Sequence, residues 1–262
     1  MRIVLAQISS SADPTENLAT VAATVRDAAD QGAALVVFPE ATMCRFGVPL
    51  RPVAEPLDGP WADGVRTIAQ EAALTVVAGM FTPAPDGRVF NTLLATGPAA
   101  DTHYNKIHLY DAFGFSESAT VAPGSQQVLI EVDGVSVGLT TCYDIRFPDL
   151  YTDLARRGAQ LITVSASWGA GTEKWDQWTL LARARAADST SFIAAAGQAL
   201  PSLETPASRA PTGIGGSLLA SPTGELIAQA GPDPQLILAD LDLDAVADTR
   251  RILPVLNPSS AE

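Results

Sequence analysis

The chain has 262 residues, 47% of them hydrophobic and 17% charged, which suits one globular domain with a large core and excludes an intrinsically disordered polymer. Its formal charge of −13, with 16 Lys and Arg and no basic run, excludes nucleic acid and anionic membrane surfaces as partners, since both need clustered cations. No segment approaches the ~18 apolar residues of a membrane span, the start MRIVLAQISS lacks the long apolar stretch of a signal peptide, and Cys44 and Cys142 make no disulfide framework, so a cytoplasmic protein is expected.

Strand-like and helix-like segments alternate along the chain. Residues 2–7 are rich in β-branched side chains and predict a strand. Residues 17–31 place Leu18, Val21, Val25 and Ala28 at helical spacing, with Gly32 as the stop. ALVVF at 34–38 predicts a strand buried on both faces. A helix over 61–73 and a strand over 74–80 follow. Residues 89–95 and 102–107 predict a hairpin around Gly97-Pro98, and 128–132 with 135–141 a second one turning at Asp133-Gly134. A helix over 148–157 ends at Gly158, then a strand at 161–165 and a helix at 173–188. Strands at 192–196, 216–220, 226–230 and 235–241 close the series. Helices between strands predict an α/β fold, and the hairpins predict mixed rather than purely parallel sheets. The polar stretch 201–213 (PSLETPASRAPTG) predicts a surface loop with a possible second role as a lid, and 254–262 predicts an exposed tail.

Three residues stand where chemistry can occur. In VGLTTCYDIRFPDLY an apolar strand runs into Cys142, and a helix begins a few residues later. A strand-to-helix turn of this kind exposes free N–H groups, favours thiolate over thiol and places donors where an oxyanion forms. The same pattern also fits an inert core cysteine. Glu40, in LVVFPEAT, ends a buried-type strand, where open α/β folds place ligands and where a carboxylate suits general-base work; taken alone, a surface or capping role fits it better. Lys106, in THYNKIHLYD, can stabilise developing negative charge or lie exposed. The only histidines are His103 and His108, and a Cys142–His108 pair stays open, without an identifiable orienting carboxylate. No His/Cys/Asp cluster has metal-ligand spacing.

Taken in order, FPE at 38–40, NKIHLY at 105–110, FSESATVAPG at 115–124, CYDIRFPDL at 142–150 and QWTLLARARAADSTSF at 177–192 resemble the nitrilase superfamily of carbon–nitrogen hydrolases over nearly the whole chain. The resemblance implies a four-layer αββα sandwich of two mixed β-sheets flanked by helices, with the hydrolase domain over 1–253 and a C-terminal tail over 254–262. It implies Glu40 as general base, Lys106 as oxyanion-stabilising cation, Cys142 as nucleophile and Glu117 as the residue that orients Lys106. The Tyr143 N–H would complete the oxyanion hole, and Trp168 would line the substrate pocket, with Trp175 and Phe113 as further candidates. It implies no metal or other cofactor, a small-molecule amide substrate, and a homodimer or higher homo-oligomer. The motifs are most similar to the ω-amidase and deaminated-glutathione amidase branch, except that Gln177-Trp178 stands where that branch often has His-Trp. An amidase acting on a small, carboxylate-bearing linear amide is the leading expectation. A nitrilase, an N-acyltransferase and a non-catalytic binding protein are the alternatives. Arg146 is expected to pair with Asp144 or with a substrate carboxylate, and Cys44 lacks the turn a nucleophile would need.

Overall fold

A computed structural model describes residues 1–202 and 210–256. In chain order the elements are β1 (Arg2–Gln7), α1 (Pro14–Asp30), β2 (Leu35–Val37), α2 (Pro60–Glu71), β3 (Thr75–Pro83), β4 (Val89–Thr96), β5 (Asp101–Asn105), β6 (Asp111–Ala112), β7 (Phe115–Ser116), β8 (Val121–Ala122), β9 (Leu129–Val132), β10 (Val135–Thr141), α3 (Pro148–Arg156), β11 (Leu161–Ala166), α4 (Lys174–Ser189), β12 (Phe192–Gly197), β13 (Leu218–Ala220), β14 (Leu226–Gln229), β15 (Gln235–Asp240) and α5 (Asp244–Ile252). Single 3-10 turns at Glu117–Ala119 and Cys142–Arg146 complete the list.

The first sheet runs β15-β1-β2-β3-β4-β5, with β8 also paired to β4; the second runs β14-β13-β12-β11-β10-β9. Each has three parallel strands at its heart, β1-β2-β3 and β10-β11-β12, flanked by antiparallel neighbours. Strand alternation explains the layering. Ile3, Leu5, Leu35 and Val37 meet Val137, Leu139 and Ala194 between the sheets. Val4, Val36 and Phe38 point the other way, onto Val21 and Val25 of α1 and Val65 of α2. Ile162, Val164 and Ile193 meet Leu150 and Leu154 of α3 and Trp178 of α4. The result is the expected four-layer αββα sandwich, and strands buried on both faces read as continuous apolar runs for that reason.

Element boundaries moved where local chemistry outweighed periodicity. α1 begins at Pro14, not at residue 17, because the Asp13 carboxylate accepts the Thr15 N–H at 2.8 Å and Pro14 starts the first turn. β13 begins at Leu218, not at Gly216, because Gly215 and Gly216 hold left-handed φ values of +75° and +72° that no strand continues. α5 and the small β6–β7 hairpin have no sequence prediction. The Asp133-Gly134 turn has the two positive φ values, +50° and +76°, that a tight hairpin requires. No helix among the described residues is long and apolar enough to cross a membrane. The lid expected within 201–213 falls largely on residues 203–209, and most of the tail on 257–262, both outside the described residues. Before that point Leu256 is buried and its carbonyl accepts Arg156 Nε at 3.1 Å.

Candidate active site

The C-terminal ends of β2, β10 and β11 meet at one place, and the residues just beyond them supply most of its polar groups. Glu40 follows β2 and is 1% exposed. Its turn is clasped from both sides. The Glu40 carbonyl accepts Gln198 Nε2 from the second sheet at 3.0 Å, and Gly79 of β3 packs beneath. A Cβ at Gly79 would meet the Ala41 nitrogen at 2.6 Å, so only glycine lets the turn lie so close. Lys106 follows β5, and its backbone N–H donates to the Asn91 carbonyl on β4 at 2.9 Å. Glu117 sits in the first 3-10 turn, fixed by the Tyr110 N–H, which donates to its Oε2 at 2.7 Å.

These side chains form one buried ionic cluster. Lys106 Nζ donates to Glu40 Oε1 at 2.9 Å and to the two Glu117 oxygens at 3.1 and 2.9 Å. Asn91 Nδ2 donates to Glu40 Oε1 at 2.7 Å and to Glu117 Oε1 at 3.2 Å, which holds two like charges apart. The Ser167 N–H, just beyond β11, donates to Glu40 Oε2 at 2.9 Å. Burial acts to lower the Lys106 pKa, but Glu117 and Glu40 together raise it well above the ordinary lysine value, so the ammonium stays charged.

Cys142 opens the second 3-10 turn at φ +46° and is 7% exposed, with Sγ 3.9 Å from the Ser167 carbonyl. A left-handed φ at a residue with a Cβ is strained and is held by its surroundings. Asp144 does the holding. Its fully buried carboxylate accepts the Thr141 N–H at 2.9 Å, the Tyr104 hydroxyl at 2.7 Å, and the His108 N–H and Nδ1 at 3.0 and 2.8 Å. It thereby ties the cysteine turn to the segment that carries Lys106. As second residue of its turn, Tyr143 has an N–H with no acceptor inside the turn. The thiolate expected from the turn is overruled. Burial, then the neighbouring Glu40 charge, raises the Cys142 pKa well above the ordinary thiol value, and the opposing pull of Lys106 does not offset them. At rest the group is a neutral thiol beside a carboxylate able to take its proton.

The remaining expectations divide. Trp168 lines the cavity, is 6% exposed, and donates Nε1 to the Lys174 carbonyl at 3.0 Å. Trp175 packs on Gly216 and Phe113 is 84% exposed; neither lines the cavity. His108 pairs with Asp144 and stacks on Phe147, with ring centroids 3.6 Å apart, so it is no partner of Cys142. Arg146 does not pair with Asp144. Its Nη2 donates to Gln177 Oε1 at 2.9 Å, its guanidinium lies 5.4 Å from the Trp168 ring centroid, and it lines the cavity without an acidic partner among the described residues. Cys44 is buried elsewhere, its thiol directed at the Ala12 carbonyl at 3.4 Å. The cavity over Cys142 encloses about 70 Å³, walled further by Phe46, Leu50 and Phe115. Asn91 and Asp144 escaped sequence reasoning. A lone Asn within a strand carries no signal, but Thr141 followed three residues later by Asp144 is a capping-box spacing and could have flagged the second.

The carbon–nitrogen hydrolase family model matches residues 2–251. A hydrolase of Mycobacterium tuberculosis is 64% identical, over 98% of this chain and 94% of that protein. The deaminated glutathione amidase of Escherichia coli O157:H7 is 33% identical, over 98% and 96% respectively. The crystal structure of Saccharomyces cerevisiae Nit3, a member of branch 10 of the nitrilase superfamily, superposes with a TM-score of 0.85 at 25% identity, covering 97% of this chain and 94% of that one. The chain therefore belongs to the carbon–nitrogen hydrolase family of the nitrilase superfamily.

Proposed function

We propose that the chain is an amidase that cleaves a small linear amide, bearing a carboxylate away from the scissile bond, to a carboxylic acid and ammonia through a thioester on Cys142. The observation that carries this reading is the neutral Cys142 thiol set beside the Glu40–Lys106–Glu117 cluster in a chain whose relatives include amidases.

Glu40 takes the thiol proton as Sγ bonds to the amide carbon, and the carbonyl electron pair moves onto oxygen. Lys106, already charged, and the Tyr143 N–H stabilise that oxyanion. The tetrahedral adduct collapses, the C–N bond breaks, and Glu40 passes its proton to the leaving nitrogen, releasing ammonia. Water then gives a proton to Glu40 and attacks the thioester carbon; the sulfur leaves and recovers that proton. Glu117, through its two contacts with Nζ, orients Lys106. Arg146, with no carboxylate partner among the described residues, receives the substrate carboxylate along the Trp168 wall.

We further propose that residues 1–253 form the catalytic domain with 254–262 as its tail, and that the working form is a cytoplasmic homodimer or higher homo-oligomer, as family resemblance implies. An ammonia-release screen over ω-amides, neutral aliphatic amides and matched nitriles tests the activity. The reading expects turnover of carboxylate-bearing amides by the wild type and none by Cys142→Ala. Ammonia release that survives Cys142→Ala overturns it.

A further inference from the structure

Two lysines, Lys106 and Lys174, are the only ones in the chain, and both line the cavity over Cys142. Lys106 is fully engaged by Glu40 and Glu117. Lys174, the first residue of α4, is half-buried and forms no ion pair with any described carboxylate. Its ammonium lies instead 4.6 Å from the ring centroid of Phe113, an exposed side chain at the tip of the β6–β7 hairpin. An exposed aromatic face is a weak, exchangeable partner for a cation.

A second cation that lines the cavity without an acidic partner among the described residues is Arg146, held by the neutral Gln177, which lies one helical turn along α4 from Lys174. The two charges feel one another. Burial first, and then Arg146, lowers the Lys174 pKa. Placing like charges together without a counter-ion is unfavourable, and a chain of net charge −13 has carboxylates to spare. No carboxylate among the described residues pairs with either, which leaves both cations for something that enters the cavity.

We propose that Lys174 is a specificity-determining residue that joins Arg146 in a two-cation subsite, selecting acyl chains that carry two anionic groups at the end away from the scissile amide. The inference rests on the amidase reading above and adds the second charge to it. A compact ammonium on a flexible stem can leave Phe113 and follow a ligand oxygen.

Kinetics and ligand protection test the proposal together. Wild type, Lys174→Met and Lys174→Arg are assayed on glutaramate, with one remote carboxylate, and on its 2-carboxy derivative, with two. Lys174→Met should lower kcat/KM for the two-carboxylate amide about tenfold, through KM, since a hydrogen bond to a charged group is lost. Glutaramate should change by less than about twofold, as expected of a partly exposed side chain outside the reacting centre. Lys174→Arg should restore most of the loss. Equal loss on both amides, or none on the two-carboxylate amide, overturns the proposal.

The protection arm needs no turnover. Lys106 is 2% exposed, so Lys174 is the lysine open to acetylation, read by peptide mass spectrometry. Ethylmalonate should shield it more than butyrate, and equal shielding contradicts the subsite. Shielding without turnover of any amide would leave the subsite standing and the amidase reading failed. Turnover without discrimination or shielding would reject the subsite alone.

Discussion

The two ends of the cavity are built on opposite principles. At the Cys142 end the charged groups are buried and matched: Lys106 between two carboxylates, Glu40 also bonded to Asn91 and the Ser167 N–H, and Asp144 accepting from Thr141, Tyr104 and His108. At the α4 end Arg146 and Lys174 are half-buried and lack carboxylate partners among the described residues. A matched buried cluster gives a fixed geometry, because each member is over-determined by its neighbours. Unmatched cations give affinity for whatever anion arrives. Under the proposed function, the contrast separates a part that would fix the chemistry from a part that would choose the substrate.

Substitutions should break the first end and only retune the second. Lys106→Met leaves Glu40 and Glu117 as uncompensated buried charges, so the loss should be largest there. Removing one partner of a buried pair costs about 3–5 kcal/mol, read as a shift in denaturant midpoint, and loss of the oxyanion cation costs ~10²–10³ in turnover. Asp144→Ala strips the acceptor from four donors and frees the strained Cys142 turn. With about 1–3 kcal/mol for each buried group left unpaired, a lower Tm is expected, together with a fall in kcat at nearly constant KM. Arg146→Gln should behave otherwise: stability within about 0.5 kcal/mol of wild type, with kcat/KM reduced about tenfold or more on carboxylate-bearing amides, through KM, and neutral amides unchanged. If Arg146→Gln lowered kcat on every amide, the two ends would not be separable.

The smallest effect concerns the resting thiol. Burial and Glu40 raise its pKa, so it ionises only above the ordinary thiol range. Alkylation of Cys142 by iodoacetamide should therefore keep rising with pH through and beyond that range. A rate that levels off near neutrality would mean a preformed thiolate.

The fold was legible because its core strands obey simple patterns. ALVVF read as a strand buried on both faces, which Leu35–Val37 is, and Asp133-Gly134 announced its hairpin through the positive φ values it needed. α5 was not legible, since DAVADTRRI is short, carries few apolar side chains and buries only Val246 and Thr249. In the site, the positions of Glu40, Lys106, Glu117 and Cys142 were read from motifs in order, and the fold brings all four together. Two interactions ran against expectation because sequence distance is not direction. Asp144 sits two residues from Arg146 but faces inward to hold Cys142, while Arg146 faces the cavity and takes Gln177. The protonation state of the thiol was also hidden, because a turn N-terminus favours the anion while burial and Glu40 oppose it, and only their placement decides which prevails.

The central claim is that Cys142 carries the acyl group, and intact-protein and peptide mass spectrometry during turnover of a carboxylate-bearing amide tests it most directly. The account predicts a mass increase equal to the acyl group on the peptide containing Cys142, absent from Cys142→Ala and chased by water as acid appears. Steady ammonia release with no acyl adduct under rapid quench, or an adduct on Cys44 instead, would contradict it.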